Sequence, residues 1–159
     1  MRIFGRSLSE YVSFEKVILI LIAAVGIVRL ALSLGGVSNS AVKWVSITVM
    51  SFIGLIYVSI TAYTSGFGSY KQLLPLVFLQ AALAHLIIIV GIILAIQTGK
   101  DNIYSASEYS PDRTNGKTWG HVIAHLIAGF IFVPLLGWLI GSILMFVTKK
   151  MSSQKPSQA

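Results

Sequence analysis

The chain alternates between long apolar runs and short polar stretches. Four runs, residues 17–34, 45–63, 73–96 and 119–147, contain few charged side chains. Each run approaches or exceeds the roughly 20 helical residues that cross the hydrocarbon core of a bilayer. Their apolar residues do not form a single 3.6-residue stripe, as is typical of helices surrounded by lipid. The pattern therefore predicts an all-α integral membrane protein with four transmembrane helices.

Residues 1–16 form a polar lead before the first predicted span. Ser7 and Glu10 have the spacing of a capping box, in which each residue bonds the backbone of the other. We predict a short N-terminal interfacial helix that lies on the membrane, with a frayed tail as the alternative. The basic residues expected to face the lipid headgroups are Arg2, Arg6 and Lys16.

The segments between the spans are mostly short. Residues 35–40 form a turn cluster and residues 64–71 a short loop, whereas residues 99–117 form one long polar loop. Short connections favour an up-down-up-down bundle for the domain at residues 17–148. Pro134 should kink the fourth span, and residues 149–159 are expected to be a disordered tail.

Composition restricts the function classes. Only 11% of the 159 residues are charged, against about 25% in soluble domains. The chain has no cysteine, which excludes disulfides, thiolate metal sites and cysteine nucleophiles. The net charge of +7 arises mainly from residues at the ends of spans, so it indicates contact with anionic lipid and gives no reason to expect a nucleic-acid partner.

The distribution of lysine and arginine predicts the orientation. Seven basic residues lie on one side of the four spans: Arg2, Arg6, Lys16, Lys71, Lys149, Lys150 and Lys155. Four lie on the other side: Lys43, Lys100, Arg113 and Lys117. Under the positive-inside rule the richer side is cytoplasmic. We therefore expect a multi-pass protein of the cell (inner) membrane, with both termini cytoplasmic and the long loop outside.

Small residues repeat every four positions in the fourth span. Gly137 and Gly141 form a GxxxG pattern, and Gly120, Ala124 and Ala128 precede it. Small residues at this spacing let helices approach closely in lipid. The pattern predicts helix packing, within this chain, in self-association or against other membrane subunits.

Ionisable side chains within a membrane are candidate functional groups because their burial in lipid is costly. Arg29 lies about 8 Å from the end of its span. It could therefore extend to the headgroups, or hold the acidic long loop. We expect no acidic residue within any span, so Arg29 has no predicted carboxylate partner there.

His121 and His125 are separated by four residues and lie on one helix face. Two imidazoles at this spacing can bind a divalent metal ion. Two ligands are an incomplete site, so the metal hypothesis requires a carboxylate from the long loop. The candidates are Asp101, Glu108 and Asp112. The alternative is that both histidines bond to neighbouring protein groups.

His85 lies near the middle of the third span, with Gln80 as its polar neighbour in sequence. Paired with His125 on the fourth span, it could bind haem b from both sides, or a quinone. Counting residues from the ends of the spans places the two histidines about 9 Å apart in depth. The alternative is a buried histidine bonded to another helix, because Gln80 lies on nearly the opposite helix face.

Three functional hypotheses follow. The first is a non-enzymatic accessory or assembly subunit of a larger membrane complex, because the interior has few polar residues. The second is a redox subunit that binds haem b or a quinone through His85 and His125. The third is a small permease or metal-handling protein that uses His121, His125 and Arg29. The sequence contains neither a phosphate-binding glycine loop nor a nucleophile elbow, so neither motif indicates a catalytic residue.

Overall fold

The computed structural model describes residues 2–111 and 113–153, of which 77% are helical. Four helical stretches are long and apolar enough to cross a membrane. They are Leu8–Leu34, Asn39–Thr64, Tyr70–Thr98 and Trp119–Ser153. The prediction of four apolar helices of membrane-spanning length is confirmed.

The helices are α1 (Leu8–Leu34), α2 (Asn39–Val42), α3 (Ile47–Thr64), α4 (Tyr70–Thr98), α5 (Trp119–Ile127) and α6 (Val133–Ser153). A π-helical turn (Ala128–Phe132) joins α5 to α6, and a 3₁₀ turn (Ser107–Tyr109) lies in the long loop. Two short strands, β1 (Arg2–Ile3) and β2 (Arg6–Ser7), pair as an antiparallel hairpin before α1.

The third predicted span, α4, is the central helix. It packs against α1, α3, α5 and α6. Half of its most apolar stretch is buried inside the protein, compared with a third or less in the other spans. Small side chains at Ala81, Ala82, Ala84 and Gly91 let its neighbours approach. Polar side chains of α4 can therefore meet partners from several helices.

The N-terminal segment belongs to the first span. The capping box is present, because Ser7 Oγ accepts from Glu10 N and Glu10 Oε2 accepts from Ser7 N. The helix that it begins continues from Leu8 to Leu34. Residues 8–14 form the first part of this helix, and their placement on the membrane surface stays a prediction. A local break at Glu15 (φ −108°, ψ 16°) bends them relative to the rest.

The N-terminal hairpin docks on the loop between α3 and α4. Arg6 Nε donates to the Phe67 carbonyl at 2.7 Å, and its guanidinium lies 4.0 Å from the centre of the Phe67 ring. Phe14 stacks on the same ring at 3.9 Å. Arg6 therefore contacts the protein, although the sequence predicted that it would face the headgroups.

The fourth span changes its helical period before Pro134. Val133 N bonds to the Ala128 carbonyl, five residues back, as in a π-helix. Proline has no N–H and its ring crowds the preceding turn, and a wider turn relieves both effects. The span then continues as α6 to Ser153, so residues 149–153 are helical where a disordered tail was predicted. Residues 154–159 lie outside the described residues.

The long loop folds into the helices. Four of its residues, Asn102, Ile103, Tyr104 and Ser105, are buried, and we call them the loop plug. Tyr104 Oη donates to the Gly26 carbonyl at 2.9 Å, and Asn102 Nδ2 donates to the Gly91 carbonyl at 2.8 Å. A Cβ atom at Gly91 would lie 2.6 Å from the Tyr104 ring, so only glycine leaves room for the loop plug there.

Tyr104→Phe should destabilise the protein by about 1 kcal/mol, because the Gly26 carbonyl would lose its additional donor. Burial raises the pKa of Tyr104 to about 12, so its hydroxyl remains a donor throughout the neutral range. Thermal unfolding in nanodiscs provides the measurement. Tyr109→Phe is the matched control, since Tyr109 is exposed and should change the melting temperature little. Equal melting temperatures for the two variants would contradict this role of Tyr104.

Candidate functional site

Two groups of polar side chains lie inside the protein, and α4 contributes to both. One is the histidine cluster, which consists of His85, His121 and His125. The other is a pair formed by Glu15 and Gln80. Gln80 and His85 line the same cavity, so this cavity joins the two groups.

His85 and His125 contact each other directly. Their Nδ1 atoms lie 3.1 Å apart, and their ring centres lie 5.2 Å apart. One Nδ1 must donate and the other must accept, which leaves each ring its Nε2 atom for a second partner. Gly129 in the π turn makes the contact possible, because a Cβ atom at that position would overlap the Cβ and Cγ atoms of His85.

This contact corrects the depth expected from the sequence. Counting from the helix ends separates His85 and His125 by about 9 Å, on the assumption that the two ends lie level. The long loop instead folds inward, and its end at Gly116 is buried. Helix α5 therefore begins deeper than α4 ends, and His125 comes level with His85.

His121 fastens the end of the long loop to α5. Its side chain is buried, and its Nδ1 atom lies 2.8 Å from the Gly116 carbonyl. A carbonyl can only accept, so Nδ1 carries the proton. The Nε2 atom of His121 has no hydrogen-bond partner among the described residues. The His121 ring lies beside that of His125, with 4.9 Å between their centres.

The cluster does not have the geometry expected for haem or a metal ion. Two imidazole ligands on opposite sides of an iron would be about 4 Å apart at usual metal–nitrogen distances of about 2 Å, with the macrocycle between them. The 3.1 Å contact of His85 and His125 leaves no such space. Within residues 2–111 and 113–153, no three histidine or acidic side chains converge as a metal site.

The three acidic residues expected to complete a metal site have different surroundings. Asp101 pairs with Lys117 at 3.0 Å. Glu108 lines the same cleft as His121 and His125. Asp112 lies outside the described residues. The contact of the two rings thus leaves no room for an ion between them.

Glu15 is a buried group that the sequence analysis missed. Its side chain is 0% exposed, and Gln80 Nε2 donates to its Oε2 atom at 2.7 Å. Its Oε1 atom has no partner among the described residues. The predicted first span, residues 17–34, contains no acidic residue, but the helix of membrane-spanning length in the structure, Leu8–Leu34, includes Glu15.

The burial pattern of α1 in the structure includes Glu15. The buried residues of α1 recur every three or four positions, as one helix face does. They are Tyr11, Glu15, Ile18, Ile22, Gly26 and Arg29. The stripe begins before the predicted span and passes through Glu15 without interruption.

Arg29 lies in the interior rather than at the lipid surface. It is 8% exposed, and its guanidinium lies 5.4 Å from the centre of the Tyr104 ring. This cation–π contact joins α1 to the loop plug. Arg29 also lines a cleft together with Lys43, Tyr109 and His125. The position fits the hypothesis that Arg29 holds the long loop.

The cavity lies between α3, α4 and α6 and has a volume of about 330 Å³. Its lining is mostly aliphatic, and the residues that line it carry no charge. The polar exceptions are Thr48, Ser51, Gln80 and His85. The α6 residues in the lining begin at Val133, directly after the π turn.

The small residues of the fourth span have different surroundings. A Cβ atom at Gly137 would lie 2.6 Å from Val77, and one at Gly141 would lie 2.7 Å from Ser59. Both glycines therefore permit close packing within this chain. Ala124 and Ala128 line the cleft beside His121, and Gly120 is exposed.

Gln80→Leu should destabilise the protein by about 1–3 kcal/mol, because it leaves the buried carboxyl of Glu15 without a donor. The double variant with Glu15→Leu should lose less stability than the two single variants added together, since it removes both polar groups. Denaturant unfolding of the four proteins measures the coupling. Gln97→Leu is the control on the same helix, at an exposed position. Strictly additive losses would show that Glu15 and Gln80 do not interact.

Comparisons with protein-family models, with curated proteins and with solved structures find no match for this chain. The function is therefore argued from the contacts of the chain's own residues.

Proposed function

We propose that the chain is a small membrane subunit that binds a quinone-class ligand in the cavity between α3, α4 and α6. The observation that supports this is the lining of the cavity. It is aliphatic except for a few neutral polar groups, and two of these, Gln80 and His85, are held from behind by other buried side chains.

The size and lining of the cavity indicate the class of ligand. Ligand sites are usually clefts of about 300–1,000 Å³ with few, well-placed polar groups, and this cavity has about 330 Å³. Its lining carries no charged side chain, which disfavours a phosphate or carboxylate headgroup. A neutral ring with oxygen substituents, carried on a lipid tail, suits both the volume and the position among apolar helices.

The two polar side chains can recognise such a ring. Gln80 uses its Nε2 atom to donate to Glu15, which leaves its carbonyl oxygen to accept from a ligand hydroxyl. His85 uses its Nδ1 atom toward His125, which leaves Nε2 for the ligand. An imidazole nitrogen can donate to a quinone carbonyl or accept from a quinol hydroxyl. Both oxidation states of the ligand would find a partner.

The proposal includes an accessory role in a larger complex of the inner membrane, with both termini cytoplasmic. The longest connection between helices, residues 99–118, is partly buried against the helices. In this proposal the cavity binds the quinone, and a partner protein reduces or oxidises it.

Binding can be tested with decylubiquinone and the purified protein in nanodiscs. Ser51→Phe places a ring in the cavity and should weaken binding at least tenfold, or by about 1.4 kcal/mol. Val49→Phe is the matched control, because Val49 is on the same helix but exposed and outside the lining. Saturable binding lost only in Ser51→Phe is the expected result. Absence of saturable binding to the unaltered protein would refute the quinone proposal.

The accessory role has a separate test. The tagged protein is extracted gently from its own membranes, and the proteins that come with it are identified by mass spectrometry. We expect stoichiometric membrane partners, including one with a redox cofactor. A uniform monomer without partners would contradict the accessory role and leave the binding measurement unaffected.

A further inference from the structure

We propose that His85 and His125 form a proton path between the ligand cavity and the clefts beneath the long loop. The inference rests on the proposed function for the identity of the ligand, but the path itself is argued from the geometry of the two rings. It gives the cavity a route for protons that does not cross lipid.

The two rings are joined through like atoms, and this makes them a relay. Their Nδ1 atoms share one hydrogen bond of 3.1 Å. Each imidazole can accept a proton on one nitrogen and release the proton of the other nitrogen. A pair joined through Nδ1 therefore has one Nε2 atom at each end, and a proton that enters at one end can leave at the other.

The ends of the pair have different surroundings. The His85 ring lines the apolar cavity. His125 lines two clefts on the side of the long loop, and both clefts have exposed residues in their lining. Besides His125, the charged and titratable groups in these clefts are Arg29, Lys43, Tyr104, Glu108, Tyr109, Arg113 and His121. Water at these exposed residues can supply protons to the pair, whereas aliphatic side chains dominate the cavity side.

One passage moves one proton and leaves both rings neutral. In the starting state His125 Nδ1–H donates to His85 Nδ1, and His85 carries its proton on Nε2. A proton from water binds to His125 Nε2, and the Nδ1 proton of His125 moves to His85. The Nε2 proton of His85 then moves to an oxygen atom of a quinone that the proposed redox partner has reduced, so the electron comes from that partner and the proton from water. The hydrogen bond now points in the opposite direction, and the same steps in reverse release a proton.

His121 is not part of this path. Its Nδ1 proton is committed to the Gly116 carbonyl, so its ring serves to anchor the long loop. Gly129, in contrast, is needed for the path, because its missing side chain leaves the space that the His85 ring occupies beside His125. The two neighbouring histidines of α5 therefore have separable roles, and His121 provides a matched control.

The path can be tested without any ligand. The protein is labelled with ¹⁵N-histidine in nanodiscs, and exchange of the His85 ring proton with water is measured by saturation transfer. His125→Gln can keep a hydrogen bond to His85 but cannot relay a proton, so exchange should slow at least tenfold. His121→Gln can still donate to the Gly116 carbonyl and should exchange as the unaltered protein does.

Exchange in His125→Gln that is as fast as in the unaltered protein would overturn the proposal. If His125→Gln does not fold, His125→Phe serves in its place and should show the same slow exchange. Decylubiquinone titration of the same variants separates this result from the proposed function. His121→Gln should bind decylubiquinone as the unaltered protein does, because His121 does not line the cavity and makes no bond to Gln80 or His85. If the protein does not bind decylubiquinone but shows the expected exchange pattern, the proton path is supported and the quinone proposal is refuted.

Discussion

The structure depends on one constraint, which is that polar groups buried among apolar helices must find partners inside the protein. In hydrocarbon an unpaired polar group costs several kcal/mol. Helix α4 satisfies this requirement at three levels. Gln80 bonds to Glu15, His85 bonds to His125, and the Gly91 carbonyl accepts from Asn102. Each partner belongs to a different segment, so these bonds also connect α1, α5 and the long loop to the central helix.

Glycine positions make room for these bonds. A Cβ atom at Gly54 would lie 2.5 Å from Gln80 Oε1, and one at Gly129 would overlap His85. A polar side chain that crosses between helices needs this space, because helix backbones in lipid pack closely. Some glycines therefore make room for the interior polar groups, and others, such as Gly137, let α6 pack closely against α4.

The same arrangement produces the cavity. The π turn before Pro134 ends where the α6 part of the cavity lining begins, and Gly129 within that turn lies against His85. A local response to proline thus coincides with the place where the histidine pair meets the cavity. The proposed ligand site and the proposed proton path both depend on this segment, since it positions one wall of the cavity and the space for the His85 ring.

The sequence by itself determined the four apolar helices, because a run of about 20 apolar residues has few stable structures other than a membrane helix. It also predicted the capping box at Ser7 and identified the three histidines as candidate functional residues. Only the tertiary structure decided which polar groups meet. Glu15 pairs with a residue 65 positions away, and His85 with one 40 positions away. Such contacts depend on how far each helix is shifted along its neighbours and on how the long loop folds. A uniformly apolar run has no periodic pattern that would indicate the shift of a helix or the fold of a loop.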